Sequence, residues 1–352
     1  HPYPDEWKGY NQYQLWLKEN GKKCEVRPHP DSRFVAFSPP EELHHTTWCA
    51  NKAIDFIQAR AKEESPWLFS MNLFDPHHPF DAPESYLNRY LPFLDEIPLP
   101  NYVEGELEHK TPFQRIDHRG AYGRKNLYPF TEMTEKDHKL IRASYFAMCD
   151  LVDAQVGRIL ETLKKTGQSE RTIVIFSADH GEMLGDHGIY LKGPFFYEPA
   201  IHVPLIIALP GKVKPGRSPA LVELADMAQT LLDAAGLPHY DGMQGRSFWS
   251  LLTGEKQRSI HREDVYSEYY NALDSHREPT AQLTMVRTEN TKIIVDHSNS
   301  SGELYDLKND PKETNNLWND PAFGDLKTEM LLRLCNRMAW TVDPLPKRRS
   351  GW

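Results

Sequence analysis

The chain reads as an α/β protein, a doubly wound, mostly parallel sheet flanked by helices, with a smaller antiparallel sheet plus helix at the C-terminal end. Three observations predict this. Apolar β-branched runs alternate with helical patterns up to about residue 261, as in successive strand–helix steps. The 352 residues exceed the usual size of one compact domain, so a large α/β domain over residues 1–261 and a smaller α+β one over 262–352 are expected. After Arg262 the pattern changes to four short apolar runs with polar turns between them, the signature of antiparallel strands.

Each element has its own signal. Residues 10–20 interleave Tyr13, Leu15 and Trp16 with polar side chains and stop at Gly21, which predicts a short helix. A longer helix is expected over 46–62, with Trp48, Ala53, Ile54 and Ile57 near helical spacing and Thr46 or Thr47 as N-cap. Residues 67–73 read as a buried strand. From 91 to 130, proline, charge and aromatics replace periodicity; loops of that length in a compact domain are usually functional or disordered. Thr134 opens the longest helix, in which Leu140, Ile141, Tyr145, Met148, Val152, Val156, Ile159 and Leu163 form an apolar stripe and Gly167 ends it. Strands are expected over 172–176 and 203–208, then a helix over 221–235 stopped by Gly236 and Pro238. Strands over 265–269, 283–287, 292–296 and 303–307 and a helix over 323–338 complete the chain.

The densest chemistry follows residues 172–176, where Asp179, His180 and Gly181 come directly after the strand. Ligands of open α/β sheets sit at the carboxyl ends of strands. An aspartate oxygen beside an imidazole nitrogen can grip a divalent cation, with Gly181 and Gly185 allowing the sharp turn. A turn-capping Asp179 and a packed His180 are the alternative. Lys192, in Leu-Lys-Gly-Pro, is placed to meet an anion, and the strand at 67–73 would point His77 at the same sheet edge, with His78 as its competitor.

Composition excludes some classes. A net charge of −9 and no basic run before residues 347–349 argue against a nucleic-acid-binding face. Cys24, Cys49, Cys149 and Cys335 show no Cys-x-x-Cys spacing, so no zinc-finger site is indicated, and Cys149 reads as a small core residue. No apolar run reaches bilayer-spanning length and no signal segment is seen.

The run Ser177-Ala178-Asp179-His180-Gly181-Glu182-Met183-Leu184-Gly185-Asp186-His187-Gly188, then Lys192-Gly193-Pro194, Tyr197-Glu198 and Val203-Pro204-Leu205, resembles the second half of a sulfatase of the alkaline phosphatase superfamily. Phe69 to Phe80, with Pro76-His77-His78-Pro79, resembles the family's Pro-His-x-Pro site loop, and Gly302-Glu303-Leu304-Tyr305-Asp306-Leu307 with Asn309-Asp310-Pro311 resembles its C-terminal strand and turn. The resemblance implies an alkaline-phosphatase-like fold and an arylsulfatase-like sulfuric ester hydrolase. Its substrate would be a small-molecule or saccharide sulfate ester, with neither nucleic acid nor membrane as partner.

It also implies roles. Asp179 and His180 would ligate one divalent metal, usually calcium in the family, together with two aspartates that this chain lacks. His180 stands where many sulfatases have asparagine, and imidazole suits manganese or zinc better than calcium. Lys192 would bridge the sulfate oxygens and the nucleophile, and His77 would donate a proton to the leaving group or hold a sulfate oxygen. The family's nucleophile is a formylglycine made within a Cys-x-Pro-Ser-Arg-like segment, which is not found here. The chain is therefore expected to be the C-terminal portion of a longer enzyme and inactive by itself. A phosphonate monoester or phosphodiester hydrolase of the same superfamily, and a non-catalytic sulfatase-like binding protein, are the alternatives. Glu182, Asp186 and His187 read either as groups orienting the ligands or as a solvated helix start. The excursion, with Lys110, Arg115, His118, Arg119, Arg124 and Lys125 among aromatics, reads either as a contact for an anionic or sugar substrate or as a solvated loop.

Overall fold

The computed structural model describes residues 11–256, 259–273 and 276–341; the basic cluster at 347–349 lies outside the described residues. In chain order the elements are α1 (Gln12–Glu19), β1 (Arg27–His29), β2 (Ser32–Phe37), α2 (His45–Arg60), α3 (Glu84–Leu87), α4 (Pro112–His118) and α5 (Glu135–Lys165). There follow β3 (Val174–Ser177), α6 (Glu198–Ile201), β4 (Leu205–Ala208), α7 (Asp226–Ala235), α8 (Trp249–Thr253), β5 (Asp264–Tyr270), β6 (Gln282–Thr288), β7 (Thr291–Asp296), β8 (Ser301–Asp306) and α9 (Gly324–Trp340). They form two compact units, His1–Pro100 with Glu132–Thr172, and Asn101–Thr131 with Ile173–Trp352. The change of pattern near residue 262 falls inside the second unit.

The first unit is built around α5. Its start is a capping box, in which the Thr134 hydroxyl accepts from Asp137 N at 3.2 Å while the Asp137 carboxylate accepts from Thr134 N at 2.9 Å. Leu140, Ile141, Ala143, Ala147, Met148 and Leu151 are buried on one face, against which α2 and β2 pack. Gly167 ends the helix with φ +70°, a conformation that costs glycine least.

Two expectations fail here. The N-cap of α2 is His44, whose Nδ1 accepts from Thr46 N at 3.3 Å, because Thr46 commits its hydroxyl to Asp75 instead. Residues 67–73 enter no ladder among the described residues, although Trp67 and Phe69 pack on Phe56 of α2 with ring centroids 5.4 and 4.8 Å apart. An apolar run becomes a strand only where a neighbouring edge takes up its N–H and C=O groups. Leu68 is left 76% exposed.

In the second unit β3 pairs antiparallel with β4, Val174 opposite Ala208 and Ser177 opposite Leu205. The connection between them carries only the four-residue α6, not the long crossover helix a parallel return requires. Strands β5-β6-β7-β8 form the expected antiparallel sheet. Its period-2 alternation serves two cores. Val286, Ile293 and Leu304 face Leu317 and, on α9, Met330 and Leu334. Leu283, Met285, Ile294 and Tyr305 pack with Phe113, Met183, Ile189, Phe195 and Tyr197, so the segment after β3 is seated on this sheet. Helix α7 begins at Asp226, later than expected, since the Asp226 carboxylate is taken by Glu223 N at 2.9 Å and Arg246 N at 2.6 Å and holds the preceding residues in a turn.

Thr134→Ala removes the hydroxyl half of the capping box and should cost about 1 kcal/mol, read as a lower urea midpoint at unchanged slope.

Candidate functional site

Asp179 and His180 follow β3 in an irregular turn. Asp179 is exposed; its Oδ1 accepts from His180 N at 3.0 Å and its Oδ2 lies 3.7 Å from His180 Nε2. His180 Nδ1 is 2.8 Å from the Gly181 carbonyl oxygen. A carbonyl only accepts, so in the neutral ring Nδ1 carries the proton and Nε2 presents its lone pair beside the carboxylate. Metal-binding histidines are commonly fixed in this way.

Gly181 is required by a close approach. A Cβ there would stand 1.9 Å from the Pro199 carbonyl oxygen, because Gly181 N donates to Ala200 O at 2.8 Å and Glu182 N to Pro199 O at 3.1 Å. Of the two glycines, Gly185 is the one with positive φ, +86°. The segment then doubles back, Met183 N donating to Leu191 O at 3.0 Å and Gly185 N to Ile189 O at 3.0 Å. Buried Glu182 accepts from Leu191 N at 2.5 Å and Leu184 N at 3.2 Å. This return sets Lys192 close enough to Asp179 and Glu182 for their charges to act on it. Burial nevertheless holds the Lys192 ammonium below the ordinary lysine range, against the pull of Glu182 and Asp179. Burial also pushes the Glu182 carboxyl up, against backbone donors and Lys192.

Glu182, Asp186 and His187 are therefore not a solvated helix start. His187 is buried, stacked on Tyr197 with centroids 4.0 Å apart, with Nδ1 3.1 Å from Glu106 Oε2, and Asp186 Oδ1 accepts from Asn101 N at 2.8 Å. The excursion is likewise packed in large part. Lys110 is buried, donating to Tyr305 OH at 3.0 Å and Glu313 O at 2.9 Å, while Gln114 donates to Glu303 at 2.7 Å. Arg115, Arg119, Arg124 and Lys125 remain exposed. Two excursion residues reach the Lys192 turn. The Tyr122 phenol accepts from the Lys192 backbone, and Asp117 Oδ2 stands 3.3 Å from where a Gly193 Cβ would be. Asp117 also lies 3.4 Å from His276 Nε2, whose Nδ1 is 3.0 Å from Tyr269 OH. Sequence reasoning missed His276 and Asp117, which are brought to the turn from distant positions by the sheet. Glu182 had a visible signal, an acid inside a Gly-Glu-Met-Leu-Gly run.

Asp179, His180 and Lys192 thus come together in the second unit. His77 belongs to the first unit, half-buried, stacked on His78 with centroids 4.1 Å apart. Its Nδ1 lies 2.6 Å from the His78 carbonyl oxygen, so by the same argument Nε2 bears the lone pair.

A strand-end carboxylate, an imidazole whose Nε2 presents its lone pair beside it and a half-buried lysine make a polar cluster at the end of β3. Residues 5–237 match the family model described as Sulfatase, and residues 185–339 match N-sulphoglucosamine sulphohydrolase, C-terminal. The chain belongs to the sulfatase family, within the alkaline phosphatase superfamily. It is 30% identical over 305 residues to the uncharacterized sulfatase YidJ of Escherichia coli K12, covering 85% of this chain and 56% of that protein. It is 31% identical over 288 residues to an arylsulfatase of Clostridium perfringens, covering 80% and 55%. The chain thus spans about half the length of these curated relatives. Among solved structures, the phosphonate monoester hydrolase of Silicibacter pomeroyi superposes with a TM-score of 0.81 at 25% identity, covering 95% of this chain and 69% of that one. The α/β class with its C-terminal antiparallel sheet and helix is accordingly the alkaline-phosphatase-like fold.

Two outcomes follow. Gly181→Ala should cost about 3 kcal/mol or more, because backbone on α6 must move, whereas Gly185→Ala should cost only about 1–2 kcal/mol of left-handed strain; thermal unfolding of the two variants compares them. Helix α6 is held by Glu198, 2.8 Å from Lys292 Nζ and 3.1 Å from Arg287 Nε. Burial raises the Glu198 carboxyl, but His202, Lys292 and Arg287 outweigh it and hold it well below the usual range. A depressed folded-state pKa contributes stability above the unfolded value of 4.5 that is lost as pH falls below it. Glu198→Gln should flatten the acid limb of a stability–pH curve, and an unchanged limb would refute this ion pair as its source.

Proposed function

We propose that this chain is the part of a sulfuric ester hydrolase that supplies half of the metal site and the charged groups around the sulfate. The observation that carries the reading is His180 Nε2 3.7 Å from the exposed Asp179 carboxylate, with Lys192 close enough to feel the Asp179 charge, in a chain of the sulfatase family.

The family implies one divalent cation, and the donors fit it. Both present lone pairs, the histidine tautomer is set by the Gly181 carbonyl, and the carboxylate is open to solvent. When bound, such a cation polarises the sulfate oxygens and carries charge that develops as the ester bond breaks. Calcium is the family's usual metal; the imidazole among the ligands favours manganese or zinc. The remaining ligands, and the formylglycine that attacks sulfur, belong to the family-length polypeptide. Lys192 contributes a positive charge to the sulfate oxygens, and Glu182 holds the turn that carries it. The resemblance to the family gives His77 the role of proton donor to the departing ester oxygen, which requires the imidazolium form, since Nε2 of the neutral ring bears the lone pair. The substrate is a small-molecule or saccharide sulfate ester; the sulphoglucosamine description of the second family match supports the saccharide, though its own sulfo group is on nitrogen. A phosphonate monoester is the second reading, favoured by the likeness to the Silicibacter pomeroyi enzyme.

In the family-length protein, Asp179→Ala should lose both metal and turnover. Lys192→Ala should keep the metal while kcat falls about 10²–10³-fold. His77→Ala should slow alkyl sulfates more than aryl sulfates, whose leaving groups need less help, and His78→Ala should not. Metal analysis beside kinetics on sulfate monoesters and phosphonate monoesters decides among the readings. Full metal content with normal turnover in Asp179→Ala would remove the site assignment, and faster phosphonate than sulfate cleavage would select the second reading.

A further inference from the structure

A second convergence of metal-ligating groups lies at the start of α2, on residues that the proposed ester-hydrolase site does not use. His44, His45 and Asp75 each present one ligand atom, and these atoms lie within 4.8 Å of one another. His44 and Asp75 are buried; the His45 side chain is 32% exposed. His44 Nδ1 stands 3.5 Å from Asp75 Oδ2, and His45 Nε2 stands 3.5 Å from Asp75 Oδ1. Both separations exceed the ordinary hydrogen-bond range of about 2.7–3.2 Å. They match the edge of a tetrahedron with metal–ligand bonds of about 2.0–2.2 Å, which is about 3.3–3.5 Å.

Hydrogen bonding around the cluster fixes which atoms carry lone pairs. Thr46 N donates to His44 Nδ1 at 3.3 Å, so that nitrogen is not the protonated one. The Thr46 hydroxyl donates its single hydrogen to Asp75 Oδ2 at 2.5 Å, so it can only accept from His45 Nδ1, 3.3 Å away. His45 Nε2 is then left with its lone pair facing Asp75. Both ring nitrogens nearest the carboxylate are thus unprotonated: His45 Nε2 faces Asp75 with its lone pair, while that of His44 Nδ1 is held by the long Thr46 N–H contact, which an ion would displace. Thr46 holds both the carboxylate and one ring, as groups behind metal ligands do. The positive end of α2 opposes a cation weakly, and the buried Asp75 carboxylate supplies the countercharge.

We propose that His44, His45 and Asp75 bind one divalent transition ion, zinc by the two-imidazole, one-carboxylate donor set, with the exposed edge of His45 as the way in. The test uses the 352-residue chain carrying Asp179→Ala and His180→Ala, so that the ester-hydrolase site contributes nothing. Zinc retained after gel filtration should be one ion per chain, and cobalt(II) in its place should show the visible absorption of a tetrahedral site. Adding His45→Ala should weaken zinc binding at least ten-fold with an unchanged circular dichroism melt. Asp75→Asn should do the same; if it fails to fold, the part-exposed His45 decides alone. No zinc retained by the Asp179→Ala, His180→Ala chain, or retention indifferent to His45→Ala, would overturn the site without bearing on the sulfate-ester reading.

Discussion

Glu182, separated from the Asp179–His180 pair by Gly181, buries a carboxylate and commits it to the N–H groups of Leu191 and Leu184. Backbone donors held in this way cannot be released to water without leaving a buried charge unsatisfied, a cost of a few kcal/mol. These two bonds tie the start of the turn from 182 to 192 to its return, which brings Lys192 near Glu182 and Asp179. Lys192 and Glu182 are each shifted toward neutrality because burial outweighs their mutual attraction. A cation or an anionic ester entering the site would relieve part of that cost, a reason for such a pair to be held where ligands bind.

Beneath the turn, the four-stranded sheet converts long-range order into local precision. Its Leu283, Met285, Ile294 and Tyr305 carry Met183, Ile189 and Tyr197, so strands more than 80 residues further along the chain fix the floor of the site. Buried polar groups pair across that interface: Tyr197 OH donates to Glu303 at 2.7 Å, Gln114 to the same carboxylate at 2.7 Å, and Lys110 to Tyr305 OH at 3.0 Å. Paired buried polar groups favour one packing where an apolar contact alone would tolerate several. It also binds residues 106–122 to the sheet.

Three histidines illustrate one rule. His180 and His77 each have Nδ1 against a backbone carbonyl, and His45 has Nδ1 against a threonine hydroxyl whose hydrogen is already spent. In every case the partner of one nitrogen decides the chemistry of the other.

Much of this was legible in the residues themselves. Thr134 with Asp137, Gly167 and Gly236 determined helix ends, because capping and left-handed turns are local interactions. Period-2 alternation from 264 to 306 determined four strands, and the Asp179-His180-Gly181 and Lys192-Gly193-Pro194 runs determined which residues to examine. Tertiary structure decided the rest. Residues 67–73 are apolar enough for a strand but form no ladder, because strand formation needs a partner edge that the run does not contain. Thr46 has the side chain of an N-cap but serves Asp75, a competition set by a residue 29 positions away. The excursion's charges looked solvated one by one, yet Lys110 is buried because a hydroxyl and a carbonyl from the far end of the chain meet it. Local pattern fixes which elements form; which polar groups find each other across the chain is decided only when burial makes leaving them unpaired too costly.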